Sequence, residues 1–270
     1  MVNLSTTKLF RSGSLTKKIA TLSFVLPTLF LISCSHNQNN EMDFHSETMI
    51  YDPYEEYNRH VFAFNHKFDN YFIHPVVRGY RTVAPEPVRN GVRNALRNLN
   101  SPVTFINQVL QGDLEGAGTV LVRASINSLL GLGGLIDLAA HEGIEYESED
   151  FGQTLAVWGV PHGPYMVVPF IGPSSARDYT GYFADGAMDP LRWYLFNIEE
   201  EPLYYTKFGV GYLDIRDSLM DVLIDLESSS IDYYASVRST YYQQRQALTE
   251  DRARQPIEDV SYTFPEFEEF

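Results

Sequence analysis

The residue with the most pointed chemistry in this chain is Cys34, the only cysteine among 270 residues. It closes the run Leu31-Ile32-Ser33-Cys34, the shape of a lipobox, where diacylglycerol is joined to a cysteine sulfur. Cleavage before Cys34 frees its amine for a further N-acyl chain. A single cysteine in an exported chain can build no internal disulfide framework, so a thiol placed where lipidation needs it has a ready use. The alternative is a plain secretory peptide with an accidental cysteine. Three acyl chains anchor far more firmly than one, at about 0.8 kcal/mol per buried methylene. Ser35 follows the cysteine where Asp does not, which fits sorting to the cell outer membrane, lipid-anchored on its periplasmic face.

Other chemical signals are thin. The chain has no H-E-x-x-H, and one cysteine excludes a Cys-based zinc site. His60, His66 and His74 are separated by six and eight residues, gaps that match no local ligand pair. G-P-S-S-A at 172–176 lacks the second glycine of a nucleophile elbow. Asp150-Phe151-Gly152 spells a kinase tripeptide without the loops that give it meaning. G-L-G-G at 131–134 follows no strand and continues into no dinucleotide fingerprint. Neither metal, cofactor nor catalysis is expected, and the only prosthetic groups are the diacylglycerol and N-acyl chain on Cys34. A Ser-His-Asp set assembled from distant positions stays open.

The elements that must position a lipid-anchored protein begin with its leader. Residues 1–33 hold Lys8, Arg11, Lys17 and Lys18, no acid, and the apolar run Ile19–Ile32. That is a lipoprotein signal peptide, too short for a comfortable membrane span. Its removal takes the formal charge from −15 to −19. So acidic a chain is a poor partner for nucleic acid and cannot rely on attraction to anionic headgroups. Its hold on a membrane has to come from acyl chains and apolar area. The 18 Tyr and 17 Phe suit sites with one wet and one greasy end. Residues 34–50 are polar and read as a flexible tether, and 249–270 as an acidic, disordered tail.

Residues 51–248 carry helical periodicity. Asp52-Pro53 offers a capping acid and a first-turn proline to a helix striped with Phe62, Phe64, Phe68, Tyr71 and Phe72, most simply an aromatic core stripe. Pro75 and Pro85 are expected to break the chain and leave Tyr80–Ala84 irregular. A second helix starts at Pro87 and ends at Asn100-Ser101-Pro102, a third covers Val103–Gln111, and Asp113 caps a fourth. Phe151–Val157 suits a short helix and Tyr165–Phe170 a short strand. Arg177, Asp178 and Asp185 read as structural ion pairs. Leu219, Val222, Leu223 and Leu226 mark one late helix; Tyr234, Val237 and Tyr241 mark another, with Arg238 and Arg245 a heptad apart.

Two patterns point at lipid. Arg89, Arg93 and Arg97 run at four-residue steps beside an apolar stripe. They form a solvated face, pair with internal carboxylates, or hold phosphate headgroups, for which the guanidinium fork is well suited. The stretch Leu129-Leu130-Gly131-Leu132-Gly133-Gly134-Leu135-Ile136-Asp137 is glycine-rich yet apolar, whereas soluble turns are glycine-rich and polar. It is a buried corner, a lipid contact, or a mobile segment in a greasy setting.

The chain resembles the MlaA (VacJ) family of outer-membrane lipoproteins. The residues carrying the resemblance include Asp52-Pro53, Tyr57-Asn58-Arg59, Val88-Arg89, Gly91, Asn94 and Asn98-Leu99. It continues through Asn127, Gly131–Leu135, Asp137, Phe151–Leu155, Trp158–Val160, Gly163-Pro164-Tyr165 and Arg177-Asp178. Tyr54, Glu56 and Ala156 depart from the usual residues. The resemblance implies a mainly α fold: a ring-like bundle of amphipathic helices with a glycine-rich hairpin and few short strands. It implies a phospholipid channel in the inner leaflet, associated with an outer-membrane trimeric porin. Mislocalised phospholipids would leave the outer leaflet through it to a periplasmic lipid carrier protein, preserving lipid asymmetry. Residues 129–137 then become the moving lip of that channel, with glycines as hinge and leucines as greasy contact. A phospholipase-like lipid hydrolase and a purely structural porin-associated lipoprotein are the alternatives.

Overall fold

The computed structural model describes residues 50–250. The signal peptide at 1–33, Cys34, the tether up to residue 49 and the tail beyond 250 lie outside the described residues. The fold is mainly α, with two short strands.

The chain opens with α1 (Glu55–Phe68), runs through a π-helical turn (Asp69–Ile73) and continues into α2 (His74–Val83). Two expectations fail here. Asp52 does not cap α1, whose N-cap is Tyr54; its carboxylate is taken by distant donors, Asn58, Tyr234 and Arg238, at 2.5–2.8 Å. Tyr80–Val83 is helical, neither extended nor irregular, because the helix runs on through Pro75 directly after the π-helical turn, where the bonding register has already shifted. Pro85 constrains only Ala84 before it, which is extended at φ −103°, ψ 106°. The aromatic stripe also divides. Phe62 packs edge-on against Tyr233 and Tyr234, while Phe64, Tyr71 and Phe72 are exposed.

Next comes α3 (Glu86–Gln111), one 26-residue helix that keeps Pro102 in its interior. The predicted break there does not occur. A proline removes one intrahelical bond, and the Ser101 and Thr104 hydroxyls reach back to the carbonyls of Arg97 and Asn100. Gly112 ends α3 at φ 81°. Asp113 caps α4 (Leu114–Leu129) through the Gly116 N–H at 2.8 Å, as its position predicts. After the glycine hairpin, Asp137 caps the short α5 (Leu138–His141), and Asp150 caps α6 (Phe151–Val157).

An antiparallel pair follows, β1 (Tyr165–Val168) against β2 (Gly172–Ser175), with Tyr165 opposite Ser175. Ser175 caps α7 (Ala176–Met188) and Asp189 caps α8 (Pro190–Asn197). Two long helices close the domain, α9 (Glu201–Ser229) and α10 (Tyr233–Glu250).

An apolar cluster of Val61, Tyr165, Val167 and Tyr234 joins α1, β1 and α10. Elsewhere the interior is mixed, with Val77, Val103, Ala117, Ala139 and Met220 buried beside many polar groups. Asn107, Gln108, Gln153, Thr154 and Asp217 are buried, while leucines, tyrosines and tryptophans on most helices are exposed. Gln111 donates to Glu149 and Thr154, Thr154 to Asn107, and Asn107 to Asp185, a chain of bonds through α3, α6 and α7. Arg177 and Asp178 do pair, at 2.9 Å. Asp185 forms no such pair among the described contacts. It accepts from neutral donors, Asn107 Nδ2 and the Phe151 N–H.

Candidate functional site

The sequence of the glycine hairpin is apolar, and the structure turns most of that apolar surface outward. Leu129 is 82% exposed and Leu130 and Leu132 70% each, with Leu135 and Ile136 also exposed. The buried-corner reading fails for these side chains. It holds for two glycines. A Cβ on Gly131 would lie 2.2 Å from the Ile136 carbonyl, and one on Gly134 would lie 2.6 Å from the Asn98 side chain. The loop is closed by its own backbone: Ile136 N–H donates to Gly131 O at 2.9 Å and Gly134 N–H to Asn127 O at 2.8 Å. Leu132 adopts φ 53° at the tip, a left-handed backbone that leucine takes at a cost near 1 kcal/mol.

The root of the hairpin is the reverse of its tip. Arg123, whose side chain is 7% exposed, places Nη2 at 2.8–2.9 Å from both oxygens of Asp137. Its Nη1 donates to the Ile144 carbonyl. Asn127 donates to Asp137 and accepts from the Ala139 N–H. Burial opposes the charge on Asp137, but hydrogen bonds from Asn127, Ala140 N–H and Arg123 outweigh it and hold its pKa below the usual value. So Asp137 anchors the hairpin and caps α5 at once. The seat beneath the tip is α3, where Asn98 donates to Ser128 at 2.9 Å and Gly91 faces Leu135.

The arginine row resolves differently at each member. Arg89 donates to both oxygens of Asp217 at 2.7 Å, and Arg93 meets Asp214 and Asp217. Arg81 joins them, bridging Asp217 and Asp221. Arg97 lies over the Tyr146 ring, 4.6 Å from its centroid. Two of the three proposed phosphate contacts are therefore paired with carboxylates of α9. Burial alone would raise the pKa of Asp217; the hydrogen bonds from Arg81 and Arg89 bring it below the ordinary range.

Those carboxylates explain a feature that sequence reading missed. Between Pro202 and Leu219 the charged side chains of α9 all turn inward to partners: Lys207 to Asp189, Asp214 to Arg93, Arg216 to Asp69 and Asp217 to Arg89. Outward face Tyr205, Phe208, Tyr212, Ile215, Leu219 and Val222, in three- and four-residue steps. The spacing was readable; its direction was not, because periodicity shows a greasy face without saying what covers it. Leu219 and Val222, two of the residues that mark this helix, belong to that outer face. About eighteen residues of helix at 1.5 Å each give an uncharged exterior roughly 27 Å long. Among the described residues no helix is long and apolar enough to cross a membrane.

Catalytic geometry is sparse. Among the described residues the histidine side chains that find polar partners meet Asn70, Glu227 and Arg177, so no serine–histidine pair is formed. No cluster of three or more metal-ligating residues occurs there either.

A family model described as MlaA lipoprotein matches residues 50–248. The chain belongs to the MlaA lipoprotein family. A relative named "Intermembrane phospholipid transport system lipoprotein MlaA" from Escherichia coli K12 is 31% identical over 246 residues, covering 90% of this chain and 93% of that one. The MlaA protein of Haemophilus influenzae is 30% identical, covering 85% and 90%. An uncharacterized protein of Rickettsia bellii is 35% identical over 216 residues, 78% of this chain and 82% of its own. A solved structure concerned with maintenance of bacterial outer membrane lipid asymmetry superposes with a TM-score of 0.64 at 34% identity, covering 73% of this chain and 98% of that one. The MlaA match therefore takes in the hairpin, its root and α9 together.

Proposed function

We propose that this protein is the outer-membrane lipoprotein of an intermembrane phospholipid transport system, a channel that removes mislocalised phospholipids from the outer leaflet. Cys34 carries the acyl anchor, a trimeric porin seats the protein, and a periplasmic carrier receives the lipid. The observation that supports this best is the surface: charges of α9 and the hairpin root are drawn into ion pairs, while many leucines and aromatics are left exposed. In water such exposed apolar area is a liability. Against acyl chains it costs nothing, and the helical backbone satisfies its own hydrogen bonds. The hairpin tip is the lip, since it offers leucine to lipid from a rigid polar root. The protein acts without covalent chemistry.

Joining the hairpin to its seat tests this. Gly91 and Leu135 are neighbours, a Cβ on Gly91 lying 3.9 Å from Leu135 Cδ2, so Gly91→Cys with Leu135→Cys puts thiols on the two facing segments, to be joined directly or by a short bifunctional thiol cross-linker with a cleavable disulfide. Once they are joined, outer-leaflet phospholipid should accumulate as in a deletion strain, and reductant should reverse it. Unchanged lipid asymmetry with the bond shown to be formed would sink the lip. Release of fatty acid or lysolipid from labelled phospholipid would replace the channel with a hydrolase.

A further inference from the structure

Away from the glycine hairpin, the turn joining β1 to β2 carries a second exposed apolar tip. Phe170 there adopts φ 66° and is 54% exposed. An aromatic residue takes that left-handed backbone only where its surroundings impose it. Asn65 imposes it. Its Nδ2 donates to the Val168 carbonyl at 2.9 Å and its Oδ1 accepts from the Phe170 N–H at 2.8 Å. Under the turn lie Phe64 and Phe68, edge-on to the Phe170 ring at 5.3 and 5.0 Å, and Phe68 stacks on Phe72 at 5.1 Å. Tyr212 of α9 reaches the Phe170 carbonyl at 3.4 Å. Phe64, Phe72, Phe170, Ile171 and Tyr212 are all exposed. Strained backbone is thus fixed by the half-buried Asn65 amide, and the turn displays aromatic surface.

We infer that this aromatic tip is a lipid-seating surface, entering the acyl region of the leaflet beside α9 and fixing the tilt of the domain. The inference rests on the membrane reading given above. Continuity favours lipid as the occupant: Tyr212 belongs both to this patch and to the uncharged outer face of α9, between Phe208 and Ile215. Charge favours it too. Lys67, next to Phe68 in the chain, is exposed, and its long stem can carry its ammonium to the headgroup level. Phenylalanine with a tyrosine rim is the composition that suits a membrane interface, and a net acidic chain gains nothing there from headgroup charge.

The test uses the acylated full-length protein in phosphatidylethanolamine–phosphatidylglycerol vesicles. With Cys34 acylated, Ile171→Cys supplies a unique thiol for a spin label, and Leu132→Cys and Gln244→Cys supply a hairpin and an α10 reference. The label at 171 should collide readily with dissolved oxygen and be shielded from a water-soluble nickel chelate, as at 132 and opposite to 244. A water-like signal at 171 with a lipid-like signal at 132 overturns this inference and leaves the proposed function standing. Water-like signals at both overturn the two together. Shielding from both reagents that appears only with a porin trimer makes the patch a protein seam and also overturns it. As a second readout, Ile171→Asp in a Cys34→Ser chain should weaken vesicle binding by about tenfold or more, since a charge replaces buried apolar area. Unchanged binding overturns it.

Discussion

The two last helices are consecutive in sequence and opposite in construction. Up to Leu219, α9 turns its charges inward and many of its rings and aliphatics outward. α10 turns Tyr234 and Val237 inward, ties Arg238 to Asp52 and Arg245 to Asp150 and Asp178, and shows Thr240, Gln243, Gln244, Gln246 and Glu250 to the outside. One is dressed for lipid, the other for water. The change begins near the end of α9, where Asp221, Asp225 and Glu227 are exposed, followed by Ser228–Ser230. On the membrane reading proposed above, the water boundary falls at the α9–α10 junction. The two helices also differ in attachment, α9 by buried carboxylates and α10 chiefly by an aromatic cluster with ion pairs around it.

The harshest way to break the comparison is Asp217→Ala. Its carboxylate is 1% exposed and meets Arg81, Arg89 and Arg93, so its loss leaves the partly buried Arg89 without a carboxylate and weakens the other two, at about 3 kcal/mol or more. Thermal unfolding in detergent should fall accordingly; an unchanged midpoint would show α9 held by something else. Next, Ile215→Asp on the outer face of α9 should cost about 2.5–3.5 kcal/mol of membrane partitioning, while Gln244→Asp on α10 leaves vesicle flotation as it was. Equal responses would erase the distinction.

Asp185 gives a smaller, pH-dependent effect. Burial pushes its carboxyl up to about 6, against the pull of its Asn107 and Phe151 donors. Between roughly pH 4, the unfolded value, and pH 6 the native state holds a proton that the unfolded chain has released. Stability from this group is present below that window and lost as pH rises through it. Asp185→Asn keeps an oxygen for both donors and removes the charge, so it should gain about 1–2 kcal/mol at neutral pH and little at pH 4. A gain independent of pH would contradict this. Smallest is Tyr165→Phe. The Tyr165 ring lies 5.9–6.1 Å from those of Tyr234, Tyr241 and Tyr242, but its buried hydroxyl has no hydrogen-bond partner among the described residues. Stability should change by less than about 0.5 kcal/mol or rise, and a large loss would reveal a hidden partner.

What could be read in the sequence was local. Asp113 capping α4, the bounds of α6 and the strand from Tyr165 all follow from neighbours within a few residues. The prolines misled because their cost depends on context: Pro75 follows a π-helical turn, and Pro102 sits in a helix that packing sustains. The partners of Arg89 and Arg93 lie more than a hundred residues away on α9, so spacing could show a basic row and not what it meets. Arg123 and Asp137, only fourteen residues apart, were closer to legible; an acid closing a glycine-rich apolar run invites a search for its cation. Which apolar faces are outermost was beyond the sequence, because burial in protein and burial in lipid select the same residues.

One consequence concerns the frame more than the lip. Pro102 has no amide hydrogen, so the carbonyl of Asn98, a turn earlier in α3, has no helical donor there. Asn98 is also the residue that fills the space beside Gly134 and holds Ser128. A doorway widens by moving the door or by flexing its jamb. Here the jamb has a turn with one helical hydrogen bond fewer to resist bending, and it lies level with the hairpin.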